Sequence, residues 1–213
     1  MIKLDLKKTS ESLIDTFLEA GNIAKEISNR GVKITIKADK SPVTDGDLAV
    51  DKILRNKLTK LTPEIPIISE ETVNFNIKNK DKNFWLIDPI DGTKEYIKKK
   101  SEYTLNAALI IDQKPALGIV YAPAKERLFY SYGNYSAFEI NNGKKRLLNC
   151  KKINLNQIIG LENSGETPNE ILNIYKKYNV SQTLKMSSSL KFCILASGEA
   201  DIYAANARAF EWD

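Results

Sequence analysis

Asp88 and Asp91 stand three positions apart in the run WLIDPIDGTKEYI (85–97), at the end of an apolar stretch and directly before Gly92, Thr93 and Lys94. Pro89 disfavours helix at Asp88 and keeps it extended, whereas Asp-Gly-Thr has the composition of a turn that opens a helix. That geometry directs Asp88, Asp91 and the Ile90 carbonyl into one space. Carboxylates so gathered repel one another unless they are protonated or share a cation, and a donor set made only of oxygen favours Mg²⁺. Gly92 and Thr93 supply the other half, because N–H groups at a helix start have no partner within the helix and attract a phosphate oxygen. Acidic ligands beside an anion-binding turn are the parts of metal-assisted phosphate-ester hydrolysis. A capped helix after a buried strand accounts for Asp91 alone, but not for Asp88, Glu70 and Gly92-Thr93 together.

The rest of the composition narrows the chemistry. The 213 residues contain no histidine, which excludes Ser-His-Asp and Cys-His triads and histidine metal ligands. Two cysteines, Cys150 and Cys193, show neither a CxxC nor a framework spacing, so they read as free thiols and Cys193 as a small apolar packer. The net charge of +5 comes from 32 basic and 27 acidic residues dispersed along the chain, which favours a lysine-rich solvated surface over a nucleic-acid partner. No stretch approaches the roughly 20 apolar residues of a membrane helix, and MIKLDLKKTSESL lacks the core of a secretory signal. A cytoplasmic protein, at most peripheral at the inner membrane, is the expectation.

The elements that must position these residues follow from periodicity. Leu13, Ile14, Phe17, Leu18, Ile23 and Ile27 mark a helix over about 8–29, with Gly31 as its stop, and Leu48, Ile53, Leu54 and Leu58 mark a second from Gly46 to Leu61. TPEIPIISEE and NFWLID read as short strands that end in Glu70 and Asp88. Residues 104–132 read as a three-strand antiparallel meander, with a Lys-Pro turn and a proline-containing connection, and GNYSAFEINNGKKRLL as a hairpin tipped by Asn142-Gly143. Beyond residue 150 come a helix in ETPNEILNIYKKYNV, a short polar strand, a helix in SSSLKFCILASG and a strand in ADIYAA. An α+β region over 1–145 therefore carries most of the site, followed by an α/β region over 146–213.

SPVTDGDLAVD (41–51), PIISEE (66–71), WLIDPIDGTKEY (85–96) and EWD (211–213) resemble, in order and spacing, the motifs of the inositol monophosphatase superfamily of Mg²⁺-dependent, lithium-sensitive phosphatases. The Thr-Lys-Glu-Tyr ending and SSSLKFCILASGEADIY most resemble its bacterial bisphosphate nucleotidase branch. The resemblance implies a layered αβαβα sandwich. It also implies one Mg²⁺ on Glu70, Asp88 and the Ile90 carbonyl, a second on Asp88, Asp91 and Asp213, and the scissile phosphate on the Gly92 and Thr93 amides. Asp47, hydrogen-bonded to Thr93, would with Glu70 orient the attacking water. Other readings stand beside these: Asp47 as an exposed first-turn acid, Glu71 on the face opposite Glu70 and either solvated or supporting the ligands from behind, Lys94 as a contact to a substrate phosphate or a cover for helix surface, and Ser188 equally as a nucleotide contact or a helix cap, with Lys191 open in the same way. The implied substrate is adenosine 3′,5′-bisphosphate. An inositol or sugar phosphate, or a catalytically silent metal-binding or interaction module, remain alternatives. The family pattern continues beyond Trp-Asp, so the expectation is a chain truncated at its C-terminal side.

Overall fold

A computed structural model describes residues 4–73, 81–133, 136–150, 152–206 and 212. Helix α1 spans Leu6–Arg30, opened by Asp5, whose side chain accepts from the Lys8 N–H at 3.0 Å, and closed by Gly31 at φ 96°. Helix α2 spans Asp45–Leu61 and starts in a reciprocal box in which Thr44 caps the backbone and Asp47 returns a bond to the Thr44 N–H. Both helices run where the periodicity places them. Between them lies a hairpin that periodicity does not reveal, β1 (Ile34–Ile36) against β2 (Pro42–Thr44). Each strand has three residues and β1 is exposed throughout, so no buried face imposes an alternation.

Seven strands form the main sheet in chain order: β3 (Ile67–Ser69), β4 (Phe84–Asp91), β5 (Thr104–Ile111), β6 (Lys114–Ala122), β7 (Arg127–Tyr132), β8 (Ser136–Asn141) and β9 (Lys144–Leu147). Only β3 and β4 run parallel. One sheet face, with Trp85, Ile87, Leu105, Ile119 and Leu128, packs on Leu13, Phe17, Val50 and Leu54 of the two long helices. The β5–β6 turn is Asp112-Gln113, both at positive φ, rather than Lys114-Pro115, which begin β6. Pro115 tolerates that place near the strand start, whereas the two-residue turn demands left-handed backbone. Asn142-Gly143 forms the β8–β9 tip as expected.

The opposite sheet face is covered by α5 (Leu190–Ala196), which packs Leu190, Cys193 and Ile194 between Ala122 and Phe129 of the large sheet and Leu161 of a second sheet. That sheet orders β11 (Val180–Lys185), β10 (Ile158–Glu162) and β12 (Ile202–Tyr203), all parallel. Strand β10 is absent from the sequence reading: IIGL carries no alternation because both its faces are covered. Leu161 faces α5, whereas Gly160 faces α4 (Asn169–Lys177), where a Cβ would lie 3.3 Å from the Tyr175 ring. Helices, sheet, helix, sheet, helix follow one another, the αβαβα layering expected. Among the described residues no helix is long and apolar enough to cross a membrane.

Candidate active site

In a regular strand, residues three apart point to opposite faces. Asp88 and Asp91 escape this because β4 carries one extra residue: Asp88 pairs with Asn106 and Asp91 with Thr104, so Pro89 and Ile90 together oppose Leu105 alone. Pro89 has no N–H to lose from the ladder at that point. The bulge returns Ile90 to the core under α1 and α2 and leaves both aspartates on the other face. The neighbouring strand β3 is held by a hydrogen bond from the Ser69 hydroxyl to Asp51 of α2, and the Glu70 N–H donates to the Ile87 carbonyl at 3.0 Å. Glu70 therefore leaves its strand level with Asp88.

Gly92 makes the turn that follows, at φ 90° and ψ 37°, and a Cβ there would sit 3.0 Å from the Glu102 carbonyl oxygen. Only glycine satisfies both conditions. Helix α3 (Thr93–Ile97) has five residues, too few for the macrodipole invoked from sequence, so anion attraction rests on the individual N–H groups. Buried Tyr96 anchors this helix by donating to the Ala24 carbonyl at 2.6 Å, and Gly46 of α2 presses so closely that a Cβ there would collide with the Tyr96 hydroxyl oxygen. The start of α2 is thereby fixed against α3.

Asp47 is 1 % exposed, not a solvated first-turn acid. Its Oδ2 accepts from the Thr44 N–H and hydroxyl, while Oδ1 lies 3.4 Å from the Thr93 hydroxyl, which is also 3.1 Å from the Ile90 carbonyl oxygen. Burial raises the Asp47 carboxyl above the usual range, against the pull of its Thr44 bonds. Glu71 is not solvated either. It leaves the strand in a turn rather than alternating away, its side chain is 4 % exposed, and it pairs with Lys37 at 2.8 Å, with Glu70 3.4 Å from the same ammonium. Burial drives the Glu71 carboxyl up to about 7, opposed by Lys37. Burial lowers the Lys37 pKa, but its two carboxylate partners outweigh it and the net shift is upward. Nothing in the sequence marks Lys37, which arrives from the unrecognised β1–β2 hairpin.

A cavity of about 530 Å³ opens beside Asp91 and Gly92 and extends past Lys94, Ser188 and Lys191 to Tyr203. Lys94 is exposed at its rim. Ser188 turns the chain at φ 60°, its Oγ 3.4 Å from the Leu190 N–H, and Lys191 is buried with its ammonium donating to the Ser188 carbonyl at 2.7 Å. Asp213 lies outside the described residues. Among the described residues no three Asp, Glu, Cys or His side chains close into a cation cage. Glu70, Asp88, Asp91 and the Ile90 carbonyl offer oxygen donors alone at neighbouring strand ends and could hold a cation only as an open set. That suits Mg²⁺, which binds through one or two carboxylates, waters and substrate phosphate rather than a complete protein cage. Cys193 packs in the apolar cluster as expected, and both cysteines are free thiols.

The sequence profile of the Inositol monophosphatase family matches residues 5–213. The chain belongs to this family. It is 38% identical over 214 residues to the 3′(2′),5′-bisphosphate nucleotidase CysQ of Buchnera aphidicola, covering 97% of this chain and 78% of that protein. It is 34% identical over 181 residues to the CysQ of Escherichia coli K12, covering 84% and 72%. Among solved structures, CysQ from Bacteroides thetaiotaomicron superposes with a TM-score of 0.75 at 26% identity over 94% of this chain and 80% of that one. Staphylococcal inositol monophosphatase-1, in a LiCl-soaked inhibitory complex, superposes with a TM-score of 0.76 at 20% identity over 94% and 75%, a likeness of fold. The inositol monophosphatase family motifs read from sequence thus coincide with the layered αβαβα fold of its members.

Proposed function

We propose that this chain is a Mg²⁺-dependent phosphomonoesterase that removes the 3′-phosphate of adenosine 3′,5′-bisphosphate, giving AMP and phosphate. The observation that carries the reading is the Asp47–Thr93–Ile90 arrangement, a buried acceptor and a hydroxyl at the Gly92 turn, next in the chain to Asp91 and Gly92, which line the cavity. The nucleotide substrate rests on the named CysQ relatives.

Thr44 saturates Oδ2 of Asp47, which leaves Oδ1 for the Thr93 hydroxyl. With its proton on the Asp47 side, Thr93 Oγ1 offers lone pairs to one hydrogen of an attacking water, and Glu70 accepts the other. The Gly92 and Thr93 N–H groups hold non-bridging phosphate oxygens, so the phosphorus lies in front of that water. Glu70, Asp88, Asp91 and the Ile90 carbonyl would hold Mg²⁺, which when bound supplies positive charge against the phosphate and the departing ribose oxygen. Lys94 and Lys191 stand along the cavity for the second phosphate, and Ser188 lines the wall between. Asp213 belongs to the donor set by its motif.

The test is a phosphate-release assay in Mg²⁺ with adenosine 3′,5′-bisphosphate, inositol phosphates and sugar phosphates side by side. Turnover of the nucleotide at the highest kcat/KM is expected, falling on chelation and on titration with Li⁺. Preference for an inositol phosphate would replace the substrate and keep the chemistry. Release indifferent to Mg²⁺ would overturn both.

A further inference from the structure

Thr104, Asn106 and Ser189 form a buried polar chain directly beneath the two aspartates. They are 0%, 5% and 4% exposed, and the strand register sets Asn106 across from Asp88 and Thr104 across from Asp91. Ser189, at the start of α5, spans them: its Oγ lies 2.8 Å from Thr104 Oγ1 and 2.9 Å from Asn106 Oδ1, and its backbone N–H donates to the Asp91 carboxylate.

Counting hydrogens orients the chain. A hydroxyl has one proton and Oδ1 is only an acceptor, so Ser189 donates to Asn106 and Thr104 donates to Ser189. Both N–H bonds of Asn106 Nδ2 then remain, and that nitrogen is buried with no hydrogen-bond partner. The reversed amide would leave an acceptor on a face that already carries two carboxylates, which electrostatics disfavours. A buried amide donor left unsatisfied is costly and calls for an acceptor, and the residue across the ladder on the same face is Asp88.

We propose that Asn106 is a positioning residue: its amide N–H groups hold the Asp88 carboxylate in its ligating orientation, while Ser189 fixes Asn106 through its hydroxyl and Asp91 through its N–H. One residue at the head of α5 thereby sets both aspartates, and the helix layer between the two sheets reaches the metal ligands without supplying one. This rests on the cation reading given above.

Mn²⁺ serves as the probe, with binding measured by calorimetry and electron paramagnetic resonance in the absence of substrate, beside the thermal midpoint of the metal-free protein. Asn106→Ala should weaken Mn²⁺ binding by about 10–100-fold with a midpoint close to wild type, as loss of a group that orients a ligand does. Ser189→Ala should weaken it less, and Ser189→Thr, which keeps the hydroxyl, should restore it. A midpoint shift with unchanged Mn²⁺ affinity in Asn106→Ala would mark a purely structural role and overturn the proposal. Should that variant fail to fold, equal Mn²⁺ affinity in Ser189→Ala and wild type would overturn it instead. Wild-type protein that binds no Mn²⁺ would overturn the cation reading as well, whereas binding that ignores all three substitutions defeats this inference alone.

Discussion

Individual side chains in this site are defined by what surrounds them more than by their type. Asp88 is 1 % exposed on a sheet face it shares with Asp91, so its charge is tolerable only with positive charge or donors nearby. Asp88→Asn keeps the volume and relieves repulsion. On the proposed function it should lower phosphate release by about a hundredfold or more while the thermal midpoint stays within a few degrees, because the proposed Mg²⁺ ligand is lost and little packing changes. Unchanged turnover in that variant would remove Asp88 from the site. The two thiols divide in the same way. Burial pushes Cys193 up to about 12 and seals it among Leu190, Ile194 and Phe129, whereas Cys150 is exposed. A disulfide reagent at pH 8 should therefore titrate one thiol per chain promptly and the second only after unfolding in urea.

Elements explain how much of the site was legible. Helices α1 and α2, the meander and the Asn142-Gly143 hairpin announce themselves because one face is buried and the other is wet. β1, β2 and β10 do not, since the first is exposed throughout and the last is covered on both sides. Lys37, Asn106 and Ser189 were missed for a related reason: a lysine in an exposed hairpin, an asparagine in a strand and a serine before a helix carry no signal until the fold gives them neighbours. Asp88, Asp91 and Gly92 were legible because they are contiguous.

Two predictions belong to this scale. Gly46→Ala should cost about 1–3 kcal/mol, because its methyl meets Tyr96 at the junction of α2 and α3. Tyr96→Phe, which loses the bond to Ala24, should cost about 1 kcal/mol. Urea denaturation of the double variant should show less than the sum, since the deleted oxygen is the nearest obstacle. Burial of Glu71, which with Lys37 ties the β1–β2 hairpin to the end of β3, makes stability depend on pH. Glu71 sits at about 7 in the folded state against an ordinary 4.5, so the folded chain holds that proton more tightly than the unfolded one. Its contribution is complete below about pH 4.5 and is lost as pH rises through 7. In chelator-treated protein, Glu71→Gln should flatten the fall in unfolding free energy between pH 5 and 7.5 by on the order of 2 kcal/mol. Parallel pH profiles for variant and wild type would contradict this.

At the scale of the molecule, the layers are joined across the sheet by charge as well as by apolar packing. Fully buried Glu139 of β8 accepts from Arg127 and Arg146, each Nε at 2.6 Å, and Arg127 continues to Glu199 just beyond α5. Without Glu139 the largely buried Arg127 guanidinium keeps Glu199 as its partner, while Arg146 is more than half exposed. Glu139→Gln should therefore lose about 1–3 kcal/mol and expose the segment around residue 199 to limited proteolysis, read by mass spectrometry of the fragments. Resistance equal to wild type would show that the apolar cluster around Leu161 and Cys193 alone holds the layers together.

The extra residue in β4 has a consequence for how such a site can change over generations. Asp88 and Asp91 share a face because the chain counts two residues where its neighbour counts one. That count is insensitive to which residues supply it, so point substitutions at Pro89 leave the alignment of the aspartates open to repair. Loss of a single codon between them would restore perfect alternation and still leave both aspartates on one face, because residues two apart point the same way. What such a loss removes is the extra residue itself, which lets Ile90 return to the core while its carbonyl stays beside the Thr93 hydroxyl. The two carboxylates are thus indifferent to a change of length that the main-chain oxygen between them would not survive.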